Sequence, residues 1–238
     1  MVDIRRREFI TLIGGAAAWP LAARAQQSAL PVIGFLHSGV PEQNVKRMTA
    51  WRKGLQEAGF VEGQNVAIEY RWAAGRNEKL PELAADLIHR QVAVIATAGS
   101  TPAALAAKAA TTTIPVVFGA GADPVELGLV PSLNRPGGNV TGVTSLNAEV
   151  AAKRLGLFRE LVPQAARYFA LVNPTSALAE LFIKDLRAGA ATVGIHVDIL
   201  RASTDGEIEA AFASLAQQTG NAMVFGPDAF FFIRRAKI

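Results

Sequence analysis

The chain has 238 residues, 50% of them hydrophobic and 18% charged, enough apolar material for one large domain or two small lobes and too much for intrinsic disorder. It contains no cysteine, which removes disulfide frameworks, cysteine-ligated metals and thiol nucleophiles together. Residues 1–25 carry +2 of the formal charge of +4, and the nearly neutral remainder gives no electrostatic reason to expect a nucleic-acid partner.

Residues 1–25 read as an export signal. Arg5-Arg6-Arg7, an apolar stretch over residues 9–18 and Ala23-Arg24-Ala25 follow the basic, apolar, small-residue order of such signals, with cleavage near Ala25. Arg6-Arg7-Glu8-Phe9-Ile10 matches the twin-arginine pattern. The apolar stretch is too short to span a bilayer, and no later apolar run reaches spanning length. The expectation is a soluble periplasmic product.

From Pro31 onward strands and helices alternate. Pro31-Val32-Ile33-Gly34-Phe35-Leu36, ending at His37-Ser38-Gly39, reads as a buried strand and its loop. Val45, Met48, Trp51 and Leu55 form a helical stripe closed by Gly59. Val66, Ile68, Tyr70 and Trp72 alternate as a second strand; Leu80, Leu83, Leu87 and Ile88 mark a second helix. Residues 92–96 make a third strand. After the polar loop 97–100, Thr101-Pro102 cap and open an alanine-rich helix to about Ala110. A fourth strand covers 115–118. Residues 119–142 are crowded with glycine and proline and read as turns and a crossover. The rhythm then resumes with a helix over about 148–161, a strand at 168–172, and a helix through Leu178, Leu181, Phe182, Leu186 and Val193. A strand at 196–200 follows. Thr204-Asp205-Gly206-Glu207 is a capping box that opens a helix through Ile208, Ala211, Phe212 and Leu215, and 222–225 is a last strand. Such alternation predicts an α/β fold with parallel sheets covered on both faces. The Gly/Pro crossover separates two β/α units, with a boundary near Thr141–Ser145, and the lobes are expected at 26–141 and 147–238.

Motifs for chemistry are missing where they are sought. No G-x-G-x-x-G joins the first strand to its helix, no Walker A sequence occurs and no G-x-S-x-G elbow occurs. His89 ends a helix, and His196 begins a strand on its surface side. His37 ends a strand on the edge where α/β proteins bind ligands, with no partner for a metal. No catalytic residue, metal or cofactor is indicated. Small polar residues do recur after strands, and each alone is an ordinary turn or cap residue. As a set on one sheet edge they are candidate ligand contacts: His37 and Ser38; Ala98, Gly99, Ser100 and Thr101; Gly119, Ala120 and Asp123; then Asn173 and Asp228. The amides at 100–101 precede a helix and suit a carboxylate; Asp123 or Asp228 suits an ammonium group. Trp51, Tyr70 and Trp72 read as packing residues, since helical or strand spacing already explains them.

The twin-arginine leader, Val32-Ile33-Gly34-Phe35-Leu36, Thr112-Thr113-Ile114-Pro115-Val116-Val117-Phe118 and above all Leu133-Asn134-Arg135-Pro136-Gly137-Gly138-Asn139-Val140-Thr141-Gly142 resemble the ABC-transporter substrate-binding family labelled as tryptophan/tyrosine importers. Ala151-Ala152-Lys153-Arg154-Leu155, Leu161-Val162-Pro163 and Leu171-Val172-Asn173-Pro174 extend the likeness over essentially the whole chain. The resemblance implies a type I periplasmic-binding fold: two doubly wound lobes, a ligand in the cleft between them, and closure about a hinge crossover at 142–146, with Thr141, Gly142 and Thr144 as hinge residues. It implies a monomer that captures a small polar or amino-acid-like solute and delivers it to ABC permease subunits in the inner membrane, and it implies no enzyme activity. Family members continue on the order of 80–100 residues further. The expectation is therefore a C-terminally truncated second lobe with an exposed sheet edge and a poorly covered Phe230-Phe231-Phe232-Ile233. Three alternatives stay open: a ligand-sensing periplasmic module for a membrane receptor, a non-functional fragment of a binding protein, and a periplasmic enzyme on a flavodoxin-like sheet. A transcription regulator of the same fold would need a DNA-binding helix pair where residues 1–25 stand.

Overall fold

The computed structural model describes residues 30–145, 151–216 and 221–238. The export signal lies outside the described residues, as does the expected helix start near 148. The first sheet holds β1 (Val32–His37), β2 (Ala67–Trp72), β3 (Val94–Thr97), β4 (Val116–Ala120) and β5 (Val140–Thr144) in the order β2-β1-β3-β4-β5, all parallel. Helices α1 (Val45–Glu57), α2 (Leu80–His89) and α3 (Thr101–Ala110) make the connections between its first four strands.

β1 is paired on both edges, and a core packs on each of its faces. Ile33 and Phe35 point to one core with Met48, Val66 and Ala96, against which Trp51, Tyr70 and Trp72 pack. Phe35 stands 5.0 Å from Trp51 and 5.3 Å from Trp72, ring centre to ring centre. The three aromatic residues are packing residues, as their spacing predicts. Leu36 points to the other core with Leu80, Leu87, Ile95 and the alanines of α3. Ala103, Ala104 and Ala107 are fully buried; methyl-sized side chains let α3 lie close on the sheet.

Two local readings are corrected. The cap of α3 is Ser100, not Thr101: Ser100 has extended backbone angles and its hydroxyl accepts the amide of Ala103. Where crossover is expected, Val140–Thr144 is a fifth strand: the expected hinge residues Thr141, Gly142 and Thr144 lie on an edge of the first sheet, opposite Val117, Phe118 and Ala120. The signal was diluted because Gly142 breaks the strand pattern. Glycine stands there because a side chain would run into the carbonyl and ring of Phe118. The preceding Pro-Gly-Gly-Asn run has a similar steric origin. Gly137 and Gly138 both have φ +60, a region that disfavours a Cβ, and the Asn139 side chain donates to the carbonyls of Thr111 and Ile114.

The second sheet is three-stranded and parallel, β7-β6-β8, from β6 (Arg167–Val172), β7 (Val197–Arg201) and β8 (Asn221–Phe225). β6 is central, and Tyr168, Ala170 and Val172 meet α4 (Ala151–Leu161) and α5 (Ala179–Thr192) through Leu155, Phe182 and Leu186. Leu171 on the other face meets α6 (Asp205–Ala216) and the short α7 (Ala229–Ile233) through Ile208, Ala211, Phe230 and Phe231. The expectation of a poorly covered phenylalanine run is therefore overturned for two of its members. Phe230 and Phe231 are 4% exposed, while Phe232 is 53% exposed.

Candidate ligand-binding cleft

Parallel strands bring all their carboxyl ends to one edge of a sheet, and here the edges of both sheets border one cleft of about 800 Å³. That size suits a small organic molecule. The first lobe supplies the ends of β1 and β3 and the starts of α1 and α3; the second supplies the end of β8 and α7.

The first-lobe wall is built around two buried serines. Ser100 Oγ donates to Ser38 Oγ at 2.9 Å and accepts the Ser38 amide at 3.1 Å. The loop between β3 and α3 turns sharply at Gly99, φ +77, where a Cβ would come within 2.8 Å of Arg47 Nε. The Ser100 amide is spent on Thr97 O, so the expected pair of free amides at 100–101 reduces to that of Thr101. The Thr101 hydroxyl accepts from the Gly121 amide. His37 is 4% exposed, lies parallel to the Phe35 ring at 6.1 Å and meets the Trp72 ring at a tilt, 5.0 Å away. Its Nδ1 accepts the Gly39 amide at 2.8 Å. Burial, with the Arg47 guanidinium as a second cause, lowers its pKa from 6.5 to about 4. His37 is therefore a neutral ring at ordinary pH, and the accepted bond on Nδ1 places its proton on Nε2.

The second-lobe wall is largely apolar: Leu178, Phe182, Phe225, Phe231 and Phe232 border the cleft, with Asp228 at its rim. Asp228 caps α7 through Phe230 N and accepts from Asn173 Nδ2 at 3.1 Å and from Asn77 Nδ2 of the first lobe at 3.2 Å.

Of the candidate contacts, His37, Ser38, Gly99, Ser100, Thr101 and Asp228 border the cleft. Ala98, Gly119, Ala120, Asp123 and Asn173 do not. Ala98 packs into the aromatic core, and Ala120 into the α3 side of the sheet. Gly119 stands behind the lining loop and accepts the Gly99 amide. Asp123 turns back on its own loop, its carboxylate accepting from Val125 N at 2.7 Å. Asn173 acts through Asp228 and Thr175.

Sequence reasoning missed Lys46 and Arg47 of α1, Arg154 of α4 and the aromatic wall. Lys46 and Arg47 carried a signal: they stand in the first helical turn with no acidic residue beside them, the end where a cation is unfavourable.

The profile of ABC transporter substrate binding proteins matches residues 43–230. The chain belongs to this family. Among its relatives is the tyrosine-binding protein of Clostridioides difficile, 32% identical over 163 residues, which are 68% of this chain and 46% of that protein. A conserved domain protein of Vibrio cholerae superposes with a TM-score of 0.71 at 27% identity, over 79% of this chain and 63% of that one. A Streptococcus pneumonia protein solved in complex with L-Trp gives 0.75 at 24% identity, over 86% and 69%. The chain thus spans less than half of the curated relative. Its fold is the type I periplasmic-binding fold of these substrate-binding proteins.

Proposed function

We propose that the chain captures a small amino-acid-like solute between its two lobes, in the periplasm, and presents it to the permease of an ABC importer. The observation that carries this reading is one cleft bordered by the strand ends of both sheets, polar on the first-lobe side and aromatic on the other. A solute that touches both walls favours the arrangement in which the walls face each other, which is how hinge closure is driven. In this reading His37, Ser38, Gly99, Ser100 and Thr101 are the first-lobe contacts and Asp228 the second-lobe contact. Thr141, Gly142 and Thr144, next to the connection between lobes, take up the hinge rotation. The tyrosine-binding relative and the tryptophan-bound neighbour support an aromatic side chain on the solute. Among the described residues no helix is long and apolar enough to cross a membrane, and the twin-arginine pattern at Arg6-Arg7 supports export.

The test is a thermal-shift and calorimetry panel of amino acids, aromatic acids, purines and sugars on the full chain. A true ligand raises the melting temperature with concentration, by about 2.7 kcal/mol of stabilisation at a hundred times Kd. A panel in which nothing shifts the transition counts against capture. Delivery is tested by pull-down against permease and receptor ectodomains, where retention by the receptor alone would make the protein a sensor module.

A further inference from the structure

Resting on the capture reading, we infer that the cleft reads its solute as an organic anion with an aromatic body, whose negative group accepts from both His37 Nε2 and the Arg47 guanidinium, and does not require an ammonium group.

The geometry at His37 and Arg47 is the starting point. His37 Nδ1 already accepts the Gly39 amide, so Nε2 carries the proton and is a donor. Arg47 Nη1 lies 3.4 Å from that Nε2, and a guanidinium only donates. Two donors thus face each other at the cleft wall, an arrangement that an acceptor bearing negative charge relieves. Arg47 is held in place, since Nη1 also donates to Asn44 Oδ1 at 2.5 Å and the buried Asn44 is itself tied to Val40 O and Pro41 O.

Three further observations point the same way. Lys46 and Arg47 sit in the first turn of α1, at the positive end of its dipole, so both the helix and its cations favour an anion there. Among the described lining residues the cationic side chains are Lys46, Arg47, Arg154 and Arg235 and the one carboxylate side chain is Asp228. Asp228 is already engaged by three N–H donors, one of them in its own helix cap, and Asp123 is turned away into a bond with Val125 N. Of the two aspartates expected to receive an ammonium group, Asp123 is turned away and Asp228 keeps about one acceptor position beside its three donors. Across the cleft, Phe225 and Phe232 leave 38% and 53% of their surface uncovered, an apolar face for a ring.

The test is isothermal calorimetry on the full chain with three probes that share one ring: 3-phenylpropionate, phenylalanine and phenethylamine. The acid is expected to bind at least as tightly as the amino acid, and the amine not at all. Arg47→Ala is expected to weaken the acid by about tenfold or more, with Arg47→Lys restoring part of the loss. Arg47 is exposed, and an unchanged thermal transition in both variants shows that the fold is intact. Phenylalanine binding more than about tenfold tighter than the acid, binding of the amine, or an Arg47→Ala variant with unaltered acid affinity overturns the inference while leaving solute capture standing. If none of the three binds, the inference falls; if the wider panel is silent as well, the capture reading falls with it.

Discussion

His37 combines two properties that are rarely compatible, near-complete burial and a titratable ring. With its pKa lowered to about 4 by burial and by Arg47, the folded protein leaves the ring neutral where an unfolded chain begins to protonate it below 6.5. The unfolded state then binds the extra proton, so stability is complete above pH 6.5, declines between 6.5 and about 4, and levels off below. The expected loss from this residue is about 3 kcal/mol across that window. Urea unfolding between pH 4 and 7 reads it, and His37→Gln, which takes up no proton, is expected to flatten the difference. Gly99 is the neighbouring constraint. Its φ of +77 and the 2.8 Å approach of Arg47 Nε to any Cβ predict that Gly99→Ala costs about 1–2 kcal/mol in the same assay. A cost near zero would mean the loop relaxes and releases Arg47.

At the scale of elements, what was legible in the sequence was local. The capping box of α6 is present as read: Glu207 N donates to Thr204 Oγ1 at 3.2 Å and the Glu207 carboxylate accepts the Thr204 amide at 3.1 Å. The carboxylate also accepts from the amide and hydroxyl of Ser203, and these bonds hold its pKa below the usual range. Glu207→Ala is expected to lower the urea midpoint with an unchanged slope. The cap of α3 was read one residue late because Ser100 and Thr101 carry the same chemistry, and only the backbone angle separates cap from first turn. β5 was read as crossover because its glycine answers to Phe118, a residue of another strand. The aspartates illustrate the same limit. Asp123 and Asp228 both follow strands, but which carboxylate faces the cleft depends on loop turns that a strand pattern does not encode. Arg47 was missed because a cation on a helix reads as a solvated face unless its distance to a strand end is known.

Across the whole molecule the two lobes meet at α7 and at an exposed ion pair between Lys184 Nζ and Glu126 Oε1, 2.8 Å apart. Gln43 Nε2 donates to Ile233 O at 3.2 Å, Asn77 Nδ2 donates to Asp228 Oδ2 at 3.2 Å, and a Cβ on Gly75 would lie 3.1 Å from Ile233 Cδ1. The contact is polar and incompletely satisfied: Gln43 Oε1 and Asn77 Oδ1 are buried without a partner, a cost that cancels part of what the two bonds contribute. Such a junction holds the lobes together weakly and parts easily, which suits a protein whose closure must be decided by its solute rather than by itself. The phenylalanines of the terminal helix serve this arrangement, since burial of Phe230 and Phe231 against Leu171 fixes where α7 presents its carbonyls. With each bond worth about 1 kcal/mol, less the cost of the orphan oxygens that leave with the side chains, Gln43→Ala together with Asn77→Ala is expected to shift the open-to-closed ratio toward open by up to about tenfold. Small-angle scattering then gives a larger radius of gyration for the double variant, and saturating 3-phenylpropionate brings it back toward the parent value. A radius unchanged by the two substitutions would place the closing free energy elsewhere, in the Lys184–Glu126 pair, the hinge or the solute.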